Sequence, residues 1–103
     1  MEYKYNTVKK LQELFTQAEY LYYDGLESYH VTRDSISRLK ERAENINKEL
    51  GLEPSDEERV SLLSEQRGLA QMDNDLEREL GELEEYLLWN LDRQEELKQL
   101  TDN

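Results

Sequence analysis

The chain has 103 residues, of which 37% are charged and 36% hydrophobic, and its formal net charge is −12 at pH 7. It contains no Cys, which excludes disulfides and thiol chemistry. No apolar run approaches the roughly 20 residues of a membrane helix, and the N-terminus lacks the apolar core of a signal peptide. We therefore expect one small cytoplasmic domain that binds neither membranes nor, given its charge, nucleic acid directly.

The first half of the chain predicts a long helix from about residue 6 to residue 50. Apolar or small residues recur there at alternating steps of three and four, which is the heptad spacing of a supercoiling helix. We call this stripe the seam, and only Thr32 in it is polar. Its members are Val8, Leu11, Phe15, Ala18, Tyr22, Gly25, Tyr29, Thr32, Ile36, Leu39, Ala43, Ile46 and Leu50.

Residues 51–55 predict a turn at the middle of the chain. Gly51 is expected to end the first helix in the left-handed conformation. Ser55 and Glu58 form the pattern of a capping box, so a second helix is expected from about residue 56 to residue 100. The sequence therefore predicts an all-α fold in which residues 1–103 form a single domain, a long antiparallel two-helix hairpin resembling a coiled coil.

Folding the chain at this turn with residue i opposite residue 105 − i sets large side chains against small ones. Predicted apolar layers include Ala43 with Leu62, Gly25 with Leu80, and Ala18 with Leu87. Predicted polar layers are Thr32 with Asp73, Leu39 with Gln66, Phe15 with Asn90, and Leu11 with Gln94. We interpret the polar layers as devices that fix register and partner number, with a ligand or ion site as the alternative.

A second apolar face is expected at the open end of the hairpin, far from the turn. Its residues are Leu14, Tyr20, Leu21, Tyr23 and Leu26 on the first helix and Tyr86, Leu88, Trp89 and Leu91 on the second. A two-helix hairpin buries only a narrow seam, so this face needs another layer. Two hairpins dimerising into a four-helix bundle would supply one, and so would a different protein, because Tyr and Trp are common interface anchors. An aromatic flank that only packs within a monomer is the third alternative.

The second helix holds nearly all of the net charge. Residues 1–52 contain 8 Lys and Arg against 9 Asp and Glu, whereas residues 53–103 contain 5 against 16. The acidic stretch consists of Asp73, Asp75, Glu77, Glu79, Glu82, Glu84 and Glu85. It is a candidate surface for a protein partner with a basic surface, or a solvated face that only keeps the protein soluble. A further alternative is a DNA mimic, of the type that phages and mobile elements use to inhibit nucleic-acid-binding proteins.

The sequence offers no constellation for catalysis. His30 is the only His, and no zinc, EF-hand, phosphate-loop or dinucleotide motif occurs. We therefore expect no enzyme activity, no cofactor and no metal. The expected function is non-enzymatic binding of a partner protein, in an adaptor, chaperone-like or inhibitor role. A structural, self-assembling coiled coil is the alternative.

The plan of two helices around a central break resembles small bacterial helical hairpins, such as the WXG-type secretion proteins and the acidic partner proteins of LXG toxins. The turn reads Gly51-Leu52-Glu53-Pro54, without a Trp-x-Gly motif, and Trp89 lies far along the second helix. The resemblance covers architecture only and implies no role for any residue.

Overall fold

The chain forms two long helices in a computed structural model, which describes the backbone of residues 2–102 and the side chains of residues 7–102. Helix α1 spans Glu2–Gly51 and helix α2 spans Asp56–Asp102. Residues 52–55 connect them, and residues 2–102 contain no strand. The predicted all-α class and the two-helix hairpin are therefore confirmed. Within the described residues, no helix is both long and apolar enough to cross a membrane.

Each helix buries one stripe with the predicted heptad spacing. On α1, every seam position from Leu11 to Leu50 is buried or half-buried, whereas Val8 is 36% exposed. On α2 the seam follows the same alternating steps of three and four. Its buried and half-buried members are Leu62, Gln66, Leu69, Asp73, Leu76, Leu80, Leu83, Leu87, Asn90, Gln94, Leu97 and Thr101. The two seams are the surfaces that bring the helices together.

The end of α1 differs from its predicted form. Gly51 is the last residue of α1 and does not have a positive φ, whereas Glu53 is left-handed with a φ of 54°. The Leu52 amide donates to the Glu49 carbonyl at 3.2 Å, which tightens the last turn. The prediction of a left-handed Gly51 is therefore wrong, because glycine permits that conformation but does not require it.

The start of α2 has the predicted N-cap. The Glu58 amide donates to Ser55 Oγ at 3.3 Å, and the Arg59 amide donates to the Ser55 carbonyl at 2.8 Å. Asp56, Glu57 and Glu58 occupy the first turn, where carboxylates interact favourably with the helix dipole. The Ser55 side chain therefore satisfies the Glu58 amide, which would otherwise lack a partner at this end of α2.

Packing contacts divide the chain into two units. Unit 1 combines Met1–Tyr29 with Glu82–Asn103, and unit 2 is His30–Gly81. Residues 1 and 103 lie outside the described backbone. The prediction that residues 1–103 form a single domain stays a prediction.

In unit 1 the helices pair one heptad away from the predicted register. A Cβ atom on Gly25 would lie 3.2 Å from Leu87 Cδ2, whereas the prediction placed Leu80 there. Gln94 Nε2 donates to the Ala18 carbonyl at 3.4 Å, whereas the prediction placed Gln94 opposite Leu11. Both contacts move the pairing by seven residues.

Unit 2 has the same displacement. Gln66 Nε2 donates to Asn47 Oδ1 at 2.9 Å, whereas the prediction placed Gln66 opposite Leu39. The predicted register is therefore wrong. A slip of one heptad brings the same stripe of each helix back into the seam, so the hydrophobic pattern selects the buried face without selecting the level at which the helices pair.

Candidate functional site

Among the polar seam residues of unit 1, Asn90 is fully buried. Its Nδ2 donates to the Tyr86 carbonyl at 3.0 Å, within the same helix. Its Oδ1 is buried and has no hydrogen-bond partner among the described residues. An unsatisfied buried acceptor costs about 1–3 kcal/mol, so Asn90 lowers the stability of the seam it occupies.

The polar seam of unit 2 surrounds a cavity of about 150 Å³. The cavity is lined by Leu39, Lys40, Ala43, Gln66, Leu69, Ala70 and Asp73. Asp73 Oδ1 is buried without a hydrogen-bond partner among the described side chains. Gln66 Nε2 donates to Asn47 Oδ1 at 2.9 Å. Asp73 is thus a seam residue, whereas the other six residues of the predicted acidic stretch are exposed.

An exposed ion-pair cluster joins the two helices of unit 2 beside this seam. Arg42 Nε and Nη2 donate to Glu65 Oε1 and Oε2 at 2.7 and 2.9 Å, and Arg42 Nη1 lies 3.6 Å from Glu49 Oε1. The hydrogen bonds from Arg42 lower the pKa of Glu65, and the same bonds raise the pKa of Arg42. This two-point contact joins the two helices of unit 2 with a specific geometry, because both oxygens of Glu65 accept from one guanidinium.

The exposed carboxylates of the acidic stretch in unit 2 are Asp75, Glu77 and Glu79. Glu77 Oε1 lies 3.7 Å from Lys40 Nζ, and Asp75 Oδ1 lies 3.7 Å from Arg78 Nη2. Exposed pairs of this kind contribute about 0–1 kcal/mol and break readily. Two of the three carboxylates nevertheless already have a cation from the chain itself.

The carboxylates of the acidic stretch in unit 1 are Glu82, Glu84 and Glu85, and all three are exposed. Tyr29 Oη donates to Glu84 Oε1 at 3.3 Å. Glu82 and Glu85 take no part in the ion pairs of the described residues. Together with Glu79 of unit 2, these two carboxylates are the exposed members of the stretch outside the ion pairs and hydrogen bonds of the described residues.

All nine predicted apolar partner residues lie in unit 1, but they do not form one face. Successive residues of an α-helix are rotated by about 100°, so residues on the two sides of a seam project from opposite flanks of the hairpin. One flank, which we call the tryptophan face, carries Leu14, Leu21, Tyr86 and Trp89. The other, which we call the leucine face, carries Tyr23, Leu26, Leu88 and Leu91. Tyr20 projects from α1 on the side opposite its seam.

The tryptophan face combines two aromatic rings with a cation. Trp89 is 55% exposed, and the Arg93 guanidinium lies 5.7 Å from its ring centroid. The Tyr86 ring is 37% exposed and lies against α1, where its Cε1 would be 3.0 Å from a Cβ atom on Gly25. Leu21 is half-buried at the edge of the seam. Because α1 has no side chain at Gly25, Tyr86 can lie flat against it and present the rest of its ring to solvent.

The leucine face is more exposed and more aliphatic. Tyr23 is 63% exposed, Leu88 62% and Leu91 43%, while Leu26 is half-buried. The Tyr23 ring meets the Tyr22 ring edge to face, with centroids 5.6 Å apart. This contact holds the Tyr23 ring in place without covering it.

Unit 2 carries an apolar group that the sequence analysis missed. Near the connection, Leu52 is 81% exposed, Val60 68% and Leu63 48%. Val60 and Leu63 are three residues apart on the same flank of α2, so their spacing was the signal that could have revealed them. Residues 7–102 contain no group of three or more His, Asp or Glu side chains placed to hold a metal ion.

Comparison with known proteins gives no match to a family model, to a curated protein or to a solved structure. The resemblance to WXG-type hairpins therefore stays an expectation from the sequence.

Proposed function

We propose that this chain is a non-enzymatic binding protein that docks a partner protein on the tryptophan face of unit 1. The observation that carries the proposal is the exposed Trp89 with Arg93 beside its ring. Trp, Tyr and Arg are the residues that dominate binding energy at interfaces, and all three types meet here. Burying the exposed part of such a ring contributes about 25 cal/mol per Å².

The partner that fits this face has a basic rim around an apolar pocket. Glu85 precedes Trp89 by one helical turn and is its neighbour on the helix surface, and Glu82 lies one turn farther along the same flank. Carboxylates at the rim of an interface steer a Lys- or Arg-rich partner and raise its association rate more than its affinity. Adaptor, chaperone-like and inhibitor roles all use a surface of this kind.

We also propose that two copies associate into a four-helix bundle. The chain exposes 8403 Å², whereas a compact monomer of 12.4 kDa exposes about 6,100 Å². The excess of about 2,300 Å² is larger than the roughly 800 Å² that each partner buries in a standard interface. Self-association would cover part of this excess.

The acidic stretch fits a DNA mimic less well than it fits a protein partner. Asp73 lies in the seam, and Asp75 and Glu77 pair with cations of the chain. The carboxylates that remain do not form an unbroken row comparable to a phosphate backbone. Displacement of a bound partner by duplex DNA would be the result that favours mimicry.

Capture of partners from native lysate at low and high salt tests the proposal. Trp89→Ala is expected to weaken capture by at least about 30-fold, the effect of a hot spot of about 2 kcal/mol. The matched control is Tyr20→Ala, which removes an exposed aromatic ring outside both faces. Capture should also fall as salt screens the carboxylates. Equal capture by Trp89→Ala and the control would refute the tryptophan face as the site.

A further inference from the structure

We infer that the leucine face of unit 1 is the contact surface for a second copy of this chain, and that the dimer leaves the tryptophan face free for the partner. The inference rests on the proposed self-association and assigns it to four residues. They are Tyr23, Leu26, Leu88 and Leu91.

The composition of the two faces supports this division. Contacts between identical chains are more apolar than other interfaces, and three of the four residues of the leucine face are aliphatic. The tryptophan face instead has the Trp, Tyr and Arg of a hot spot, together with carboxylates at its border. Leu88 and Tyr23, each more than three-fifths exposed, are the least covered residues of the leucine face.

The register brings the four residues to one level of the hairpin. Ala18 meets Gln94 and Gly25 meets Leu87, so residues 18–25 of α1 lie alongside residues 87–94 of α2. Tyr23 lies within the first segment and Leu26 directly after it, while Leu88 and Leu91 lie within the second. A two-fold axis through this compact patch would set each Leu88 against the same patch of the other copy.

The exposed area of the chain is large enough for contact with a second copy. A standard interface would cover about 800 Å² of the roughly 2,300 Å² by which the chain exceeds a compact monomer. The remainder is larger than a second standard interface, so the chain exposes enough surface for one dimer contact and one partner contact.

Charge gives the two contacts opposite responses to salt. The net charge of −12 makes two copies repel each other, and Glu84 lies on the leucine flank itself. Screening should therefore strengthen the dimer. It should weaken capture of a basic partner, because that contact joins opposite charges.

The test measures the mass of the full chain by sedimentation equilibrium at low and high salt. The variant is Leu88→Glu, and the matched control is Leu100→Glu. Leu100 lies on the same helix and is 60% exposed, against 62% for Leu88. Leu100 follows Trp89 by three helical turns, so it lies on the same flank as Trp89 and on the flank opposite to Leu88. Circular dichroism should show equal helix content, since both side chains are exposed.

We expect the wild type and Leu100→Glu to have twice the chain mass of 12.4 kDa. Leu88→Glu should have the mass of one chain, with a dimer dissociation constant raised at least about 100-fold, because a carboxylate would be buried on each side of the contact. A wild type that stays monomeric at both salt concentrations would overturn the inference. So would a dimer that survives Leu88→Glu, or one that Leu100→Glu disrupts.

Partner capture separates this inference from the proposed function. If Leu88→Glu stays dimeric while Trp89→Ala abolishes capture, the dimer assignment fails and the partner site stands. If Leu88→Glu becomes monomeric and Trp89→Ala captures normally, the partner site fails and the dimer assignment stands.

Discussion

Replacement of Asn90 by Leu should stabilise the protein, because Asn90 is fully buried and its Oδ1 has no hydrogen-bond partner among the described residues. Leucine has the same number and branching of side-chain heavy atoms and carries no polar atom, although its two methyl groups take more space than the amide. The substitution removes an unsatisfied acceptor that costs about 1–3 kcal/mol. It also buries an apolar side chain, which contributes about 1.5–3 kcal/mol.

The substitution also removes one hydrogen bond, and the stability lost with it is small. Asn90 Nδ2 donates to the Tyr86 carbonyl at 3.0 Å, and such a bond contributes about 0.5–1.5 kcal/mol. Because the leucine must adapt to a space shaped for an amide, we expect a net gain of about 2 kcal/mol. For a domain of this size, that gain corresponds to a rise in Tm of roughly 10 °C.

Thermal and urea denaturation followed by circular dichroism would measure the change. The matched control is Asn74→Leu, the same substitution at an exposed position of the same helix, which should change stability by less than about 0.5 kcal/mol. A lower midpoint for Asn90→Leu with an unchanged control would refute the reasoning. That result would mean that the amide makes a favourable contact that outweighs its buried oxygen.

Three other substitutions test the geometry of the hairpin. Gly25→Ala should destabilise by about 1–2 kcal/mol. Its methyl group would lie 3.0 Å from a tyrosine ring carbon, and this overpacking of about 1–3 kcal/mol exceeds the gain in helix propensity of about 0.5–1 kcal/mol. An unchanged or higher Tm would show that the ring gives way. Gly51→Ala should instead stabilise by about 0.5–1 kcal/mol, since Gly51 is helical and nothing lies within 4 Å of its missing Cβ, whereas a left-handed Gly51 would make the change destabilising. The double variant Ala18→Cys with Gln94→Cys should form an intramolecular disulfide under oxidation, because these two residues are in contact. The double variant Ala18→Cys with Leu87→Cys should not, because Leu87 lies seven residues, or about 10 Å of helix, away from Gln94. The reverse crosslinking pattern would restore the predicted register.

The sequence predicts the buried stripes well because heptad spacing expresses which face of each helix is covered. Thr32 and Ile36 are buried as the spacing requires, although Thr32 is polar. The same regularity explains why the level of pairing could not be predicted. Gly25 can accept a leucine from either of two levels one heptad apart, and both levels place a large residue opposite a small one.

The sequence did not reveal the left-handed residue at the turn, but it did contain the division of the apolar residues into two faces. The left-handed residue could not be predicted at Glu53, because glycine at position 51 is the residue type that prefers that conformation. The two faces of unit 1, in contrast, follow from the sequence once each residue is placed by its rotation of about 100° relative to the seam. Leu21 and Tyr23 then project from opposite flanks, although both belong to the predicted second apolar face.

Trp89 provides the most direct measurement of the central claim, which is that the two faces of unit 1 make separate contacts. It is the only Trp in the chain, so its fluorescence reports on the tryptophan face without a label. The emission wavelength and its quenching by acrylamide should be recorded while protein concentration is raised and mass is followed in parallel. We predict that both stay unchanged as the mass doubles. A blue shift with loss of quenching at the same concentration would contradict the account, because it would place Trp89 inside the dimer contact.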